Sequence, residues 1–293
     1  ADGGTTTTVN GGAAIVSVDA SASVTSGGSV GSIPCKVAAV PGAVAYAWFI
    51  GSDSTTNCNL AAITTVNTVT LTSSPSAPSV GTGFAGAVGA NFGADHSTNS
   101  LVFNGLISLM ASTGSNSYFK SLDGGTLTAD GAGGIVEIDA MLKSMWDNYL
   151  LGPDTLWLSS QEMANFVKKV TNNNTTGLNR TIYIDSNAAA QGAVIAGVRV
   201  TSYLNKFAMD ASQDLMVRLH PYLPAGTIIA TTKKLPYANS NVPSVLEMET
   251  RREYYQIEWP LVTRKYQTGV YVDEVLKGYF LPALGTLTNV GNG

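Results

Sequence analysis

Two histidines, two cysteines and a thin scatter of carboxylates are the chemical resources of this 293-residue chain. Nucleophilic catalysis needs a Ser or Cys beside a His that an acid orients. His96 lies in the polar run ADHS and His220 in RLHP, and no Gly-x-Ser-x-Gly turn accompanies either. Capping or packing is expected of both. A metal site needs clustered ligands at short spacing. Cys35 and Cys58 have neither a Cys-x-x-Cys spacing nor a His partner, and Asp95-His96 stands as a lone pair. The two cysteines are expected as packed, reduced thiols, not as a disulfide. Gly81-Thr82-Gly83-Phe84-Ala85-Gly86 matches the dinucleotide glycine fingerprint in form. That fingerprint needs a strand before it and a helix after it, and here SSPSAPSV precedes and a glycine-broken run follows. It reads as linker.

Glycoside hydrolysis needs two carboxylates across a cleft. Glu253 and Glu258 have the aromatic company for it in Tyr254, Tyr255 and Trp259, but five residues apart on one strand they face opposite sides. Interleaved with Arg251, Arg252 and Arg264, they are expected to form salt bridges. Lys233-Lys234 and Arg251-Arg252 are the doubled bases, and four bases among acids do not make a nucleic-acid site. No catalytic, cofactor-binding or metal residue is assigned, no cofactor is expected, and the chain is expected not to be an enzyme.

Composition narrows the classes further. The net charge is −4, and the isoelectric point near 5.1 leaves no basic excess to neutralise phosphates. Only 12% of residues are charged, a proportion that suits a surface largely turned into interface. No apolar run approaches the roughly 18 residues of a membrane span, and no signal peptide is seen. The first residue is Ala, so processing or a missing upstream part is expected.

Stepping along the chain, residues 1–78 carry only Asp2, Asp19, Lys36 and Asp53 as charges. Short apolar runs (AAIVSVDA, SVGSIPCKVAAV, VAYAWFIG, LAAITTV, TVTLTS) alternate with turn clusters such as SGG, PGA and GSDSTTN. That rhythm predicts a β-sandwich. Residues 79–100 form a Gly/Ala-rich connector. Beyond it, LVFNGLISLMAS predicts a short helix. Ile135, Ile138, Leu142, Met145, Trp146 and Tyr149 fall at helical spacing, and Gly152-Pro153 is expected to end that helix. Thr155-Leu156-Trp157-Leu158 reads as a buried strand. Ser159 with Glu162 makes a capping box for a third helix that turns Met163, Phe166, Val167 and Val170 inward. Residues 194–204, 215–219 and 227–231 read as strands, which makes the body α+β.

Much of the charge and aromatic content is held back for the end, in SVLEMETRREYYQIEWPLVTRKYQTGVYVDEVLKGYFLPA. Tyr255, Ile257 and Trp259 alternate with Tyr254, Gln256 and Glu258, and a second alternating run follows Pro260, where a bend or bulge is expected. The plain expectation is a final hairpin with one face buried. The sharper one is a surface for contacts with other copies. Together with LPAGTIIATTKKLPY, this stretch resembles the C-terminal part of the major capsid proteins of tailed bacteriophages, in the subgroup that carries an immunoglobulin-like insertion. The resemblance is strongest in the final third, extends back to about Leu101 and is looser before it.

The resemblance implies the Hong Kong 97-like capsid fold for residues 101–293, with peripheral and axial domains, and an outward-facing immunoglobulin-like module for residues 1–78. Cys35 followed by Trp48 fits that module, whereas Cys58 lies too close behind the Trp for the usual inter-sheet partner. The family's N-terminal arm and extended loop are not found, which puts covalent crosslinking between subunits out of reach of the sequence. The function implied is a structural virion protein that assembles as hexamers and pentamers into an icosahedral head shell around the genome. Its implied partners are other copies of itself, a decoration protein or host surface touched by the module, and packaged DNA held only non-specifically, with no membrane. The rival reading is a surface adhesin or glycan-binding protein with an immunoglobulin-like module.

Overall fold

The computed structural model describes residues 32–51, 58–72, 105–171, 200–207, 214–233, 235–237, 241–242, 244–259 and 268–293. The chain divides into two compact units, Ala1–Gly105 and Leu106–Gly293. AAIVSVDA, the glycine fingerprint and its connector, Asp95, His96 and the bend expected at Pro260 lie outside the described residues.

In the first unit, strands β1 (Ile33–Lys36), β2 (Tyr46–Gly51), β3 (Cys58–Thr64) and β4 (Thr68–Leu71) form where the apolar runs predicted strands. They make two antiparallel ribbons, β1 with β4 and β2 with β3. Trp48 Nε1 donates to Thr64 Oγ1 at 2.7 Å, tying one ribbon across its strands. Asn67 is fully buried and donates to the Val37 carbonyl at 2.8 Å. Among the described residues of this unit no hydrophobic side chain is buried, and Val44 and Ile63 stand largely exposed. Cys35 is a free thiol whose Sγ points at the Ile33 carbonyl.

The second unit is α+β. Its helices are α1 (Leu106–Ala111), α2 (Val136–Tyr149) and α3 (Ser160–Thr171). Its sheet takes β5 (Tyr118–Ser121), β6 (Thr155–Leu158), β7 (Ser202–Leu204), β8 (Asp214–Leu219), β9 (Ile228–Thr231) and β12 (Leu284–Thr288) in the order β5-β12-β9-β6-β8-β7. The sheet is mixed: β12 runs parallel to β5 and β6 parallel to β8, while the other pairings are antiparallel.

Strand alternation sorts the core into two layers. Leu156, Leu158, Ile228, Ala230 and Leu287 join Ile138, Met141, Leu142 and Met145 of α2 and Phe166 of α3. Trp157, Ile229 and Leu284 face the other way, toward Met110 of α1 and the Leu281–Ala283 turn. Gly285 is the close approach on the α2 side, since a Cβ there would meet Met141 Sδ at 2.7 Å. Helix α2 ends earlier than Gly152-Pro153 suggests. Leu150 takes the left-handed conformation at φ 54° and its N–H reaches back to the Trp146 carbonyl at 2.8 Å. The chain therefore stops the helix with the 5→1 bond that a glycine usually makes possible.

Candidate assembly surface

Strands β10 (Leu246–Glu258) and β11 (Thr268–Gly278) are the longest in the described chain, at 13 and 11 residues, and among the described residues they pair only with each other. Valine and tyrosine at close intervals in TGVYVDEVLKG favour the extended chain. At about 3.4 Å per residue the ribbon is about 40 Å long. Its root is held in the core. Val245 is buried, Leu246 and Phe280 pack on the α1-side cluster, and the Tyr279 N–H donates to the Val245 carbonyl at 3.0 Å. Tyr237 sits edge-on to Phe280, 6.0 Å between centroids, and gives its hydroxyl proton to the Tyr149 carbonyl.

Beyond the root, one buried face and one solvated face were expected, and that expectation is overturned. Every residue of β10 from Glu247 to Tyr254 is exposed, and only Tyr255 is half-buried in the second half of the strand. Tyr254 is 76% exposed, Val270 69% and Trp259 50%. The reason is topological: no helix or second sheet among the described residues lies over either face.

The ribbon holds itself together with an aromatic ladder. Tyr255 opposes Tyr271 in register and their rings stack at 5.7 Å. The Arg252 guanidinium lies 3.6 Å from the Tyr255 centroid. Gly269 leaves room for the Tyr271 ring, which a Cβ would meet at 2.6 Å. Such contacts contribute about 0.5–1.5 kcal/mol each. The ion pairs expected of Glu253 and Glu258 with Arg251 and Arg252 are not found among the described residues, and Arg264 lies outside them. Arg252 is spent on the ring, Glu258 accepts from Gln256, and the ribbon's ion pair among the described residues is Lys277 with Glu249 at 3.4 Å.

Two polar clusters occur elsewhere in the unit, and spacing along the chain announced neither in full. Lys206 Nζ bridges Asp130 at 2.8 Å and Asp139 at 2.7 Å. The Tyr203 hydroxyl donates to Asp139 at 2.6 Å and accepts from the Ile135 N–H at 2.9 Å. The Lys206 hydrogen bond holds the Asp130 carboxyl well below the usual carboxylate range, and burial pushes the Tyr203 phenol up. The cluster fastens β7 to the start of α2, with every charge answered. The second cluster is Glu162, fully buried in α3. Its N–H meets Ser159 Oγ at 3.3 Å as the capping box predicts, but its carboxyl takes the Gly226 N–H at 3.3 Å and Asn165. Burial pushes that carboxyl up. Both clusters are braces.

The remaining candidate residues fall in structural positions. His220 Nδ1 accepts the Tyr222 N–H at 3.3 Å and the ring meets Trp157 edge-on at 5.7 Å. The Lys233 N–H is bound by Asp154 at 2.8 Å, and Lys234 lies outside the described residues. Among the described residues, an open cleft of about 530 Å³ beside Trp157, Met163 and Arg218 is lined by one cation and no carboxylate. Among the described residues no three His, Cys, Asp or Glu side chains converge as a metal set. No described helix is long and apolar enough to cross a membrane.

Comparison with known proteins adds little. No family model matches the chain, and no curated protein does. Among solved structures, a phage-related protein from Bordetella bronchiseptica RB50 is similar at 14% identity and a TM-score of 0.28, over 54% of this chain and half of that one. A likeness of that size does not define a shared fold.

Proposed function

We propose that this chain is a shell subunit, the major capsid protein of a tailed bacteriophage, which self-associates into hexameric and pentameric rings that close around a genome. The observation that carries the reading is the uncovered β10–β11 ribbon. A lone two-stranded ribbon in water is marginal, yet this one presents Met248, Tyr254, Ile257, Trp259, Val270 and Val275 to solvent. Burying one such aliphatic side chain stabilises by about 1.5–3 kcal/mol. Repeated around a closed lattice, modest contacts of this kind sum to a stable shell. The resemblance of the C-terminal third to tailed-phage capsid proteins supports the same reading. So does the low charge of the chain as a whole. In this reading the unit from Leu106 onward tiles the shell. Residues 1–78 are the outward immunoglobulin-like module, which meets a decoration protein or a host surface.

The test is to express the chain, with any upstream segment of its gene, and to measure particle mass by light scattering beside negative-stain images. Closed shells of megadalton mass are expected. A monomer that persists under crowding would overturn the reading and turn attention to glycan binding by residues 1–78.

A further inference from the structure

The two outer edges of the β10–β11 ribbon are built differently. On β10 the register slips twice, between Thr250 and Arg252 and again between Arg252 and Tyr255, each time with an extra residue on β10. That edge also carries Glu247, Glu249, Arg251, Arg252, Glu253 and Glu258. Bulges and charges are the usual means of blunting an edge against further pairing. Strand β11 is protected less: it has no bulge, and its charges are confined to Asp273, Glu274 and Lys277. It runs without a bulge of its own through Val270, Tyr271, Val272, Val275 and Leu276, with no proline. An edge of this kind is a template for another strand.

The backbone says which groups are on offer. Leu246 opposes Gly278 and Glu247 opposes Lys277, and the Tyr279 N–H bonds to the Val245 carbonyl. In an antiparallel pair such bonds recur at every second residue. Lys277 and Val275 therefore turn their N–H and C=O toward β10, and Glu274, Leu276 and Gly278 turn theirs outward.

We infer that β11 pairs antiparallel with β11 of a second copy about a two-fold axis at Val275, which joins two ribbons into one four-stranded sheet. This rests on the self-assembly reading above and names the contact. Charge selects the register. An axis at Asp273 or at Glu274 sets a carboxylate against its own copy. An axis at Val275 sets Asp273 opposite Lys277 of the second copy, twice, and Glu274 opposite Leu276. Asp273 has no ion pair among the described residues, while Lys277 pairs with Glu249 at 3.4 Å and lies over the Tyr279 ring at 4.9 Å, both in its own chain. Val275 is 48% exposed and meets its copy on the axis. The blunted β10 edges then lie on the outside of the joined sheet, so the pairing stops at two copies.

The geometry is specific enough for a crosslinking test. Val275 and its copy form a non-hydrogen-bonded pair, with Cα atoms about 4.5 Å apart, inside the range a disulfide spans. Lys277 and its copy sit four residues out of register, about 14 Å apart along the strands. In the full chain with Cys35→Ser and Cys58→Ser, mild oxidation of the associated fraction should give at least about tenfold more covalent dimer from Val275→Cys than from Lys277→Cys. A charge swap checks the register independently. Asp273→Lys and Lys277→Asp should each weaken association, and the double variant should restore it. Shells that form while Val275→Cys crosslinks no better than Lys277→Cys would overturn this contact and leave the shell reading standing. Absence of any association by the wild-type chain would overturn both.

Discussion

In the six-stranded sheet β12, β9, β6 and β8 have a neighbour strand on both sides, whereas among the described residues β10 and β11 have only each other. Yet the two regions use similar local grammar. Strand β8 alternates exposed and buried through Asp214, Leu215, Met216 and Val217. Strand β11 alternates exposed and half-buried through Tyr271, Val272, Asp273, Glu274 and Val275. In β8 Leu215 and Val217 join the buried cluster that holds Phe166, and the alternation is finished by packing. In β11 it stays open. A strand pattern states which side chains share a face, and only the rest of the fold decides whether that face is covered.

The comparison breaks first if the body is not the stable part. Phe166 is fully buried and tilts against Tyr203, centroids 5.8 Å apart. Phe166→Ala should cost about 3–5 kcal/mol, from lost transfer and the cavity left behind. Urea denaturation followed by far-UV circular dichroism, at concentrations below assembly, would show it as a lower midpoint. A loss under about 1 kcal/mol would mean that α3 is only loosely docked on the sheet.

A smaller effect separates the body's surface from its core. Lys206→Met leaves Asp130 and Asp139 facing each other without their cation. Because Lys206 is 43% exposed, solvent screening keeps the cost to about 1 kcal/mol. The sign with pH follows from the shifts. Asp130 has a lowered folded-state pKa, so its contribution is present above the ordinary aspartate value, about 3.9, and fades as pH falls through the folded value. Lys206 has a raised one, so its contribution is present below about 10.4 and fades as pH rises through the folded value. The difference between wild type and Lys206→Met should therefore be flat across neutral pH and shrink in strong acid. A difference that grows in acid would mean the cluster acts by some other route.

These residues also show what was legible in advance. The spacing of Ile138, Leu142 and Met145 placed α2, and Ser159 with Glu162 placed the start of α3, because both signals are local. The second use of Glu162, on Gly226, spans 64 residues, and the Tyr203 hydroxyl on Ile135 spans 68. No local rule connects such pairs. Leu150 gave no sign of its left-handed turn, since the residue type disfavours it. The density of charge and aromatics in β10 and β11 marked the surface. Its two-sided exposure was hidden, because an alternating strand reads the same whether or not something lies across it.

The smallest stability effect belongs to the ribbon, and it sharpens the comparison most. Val275 touches no core cluster among the described residues and is half exposed. Val275→Lys should then change the unfolding midpoint of the unassembled chain by no more than about 0.5 kcal/mol, as for an ordinary surface exchange. Assembly should respond quite differently. Two lysines would meet on the two-fold axis with their ammonium groups partly desolvated, and each would compete with Lys277 for Glu249, which opposes position 275 on its own ribbon. Light scattering should show association lost, while the urea curve overlays that of wild type. Since association itself raises apparent stability by mass action, the two measurements must be made on either side of the assembly concentration. If Val275→Lys instead destabilised the monomer as much as Phe166→Ala, the ribbon would be a buttress of the body. Its open faces would then need an explanation within one chain.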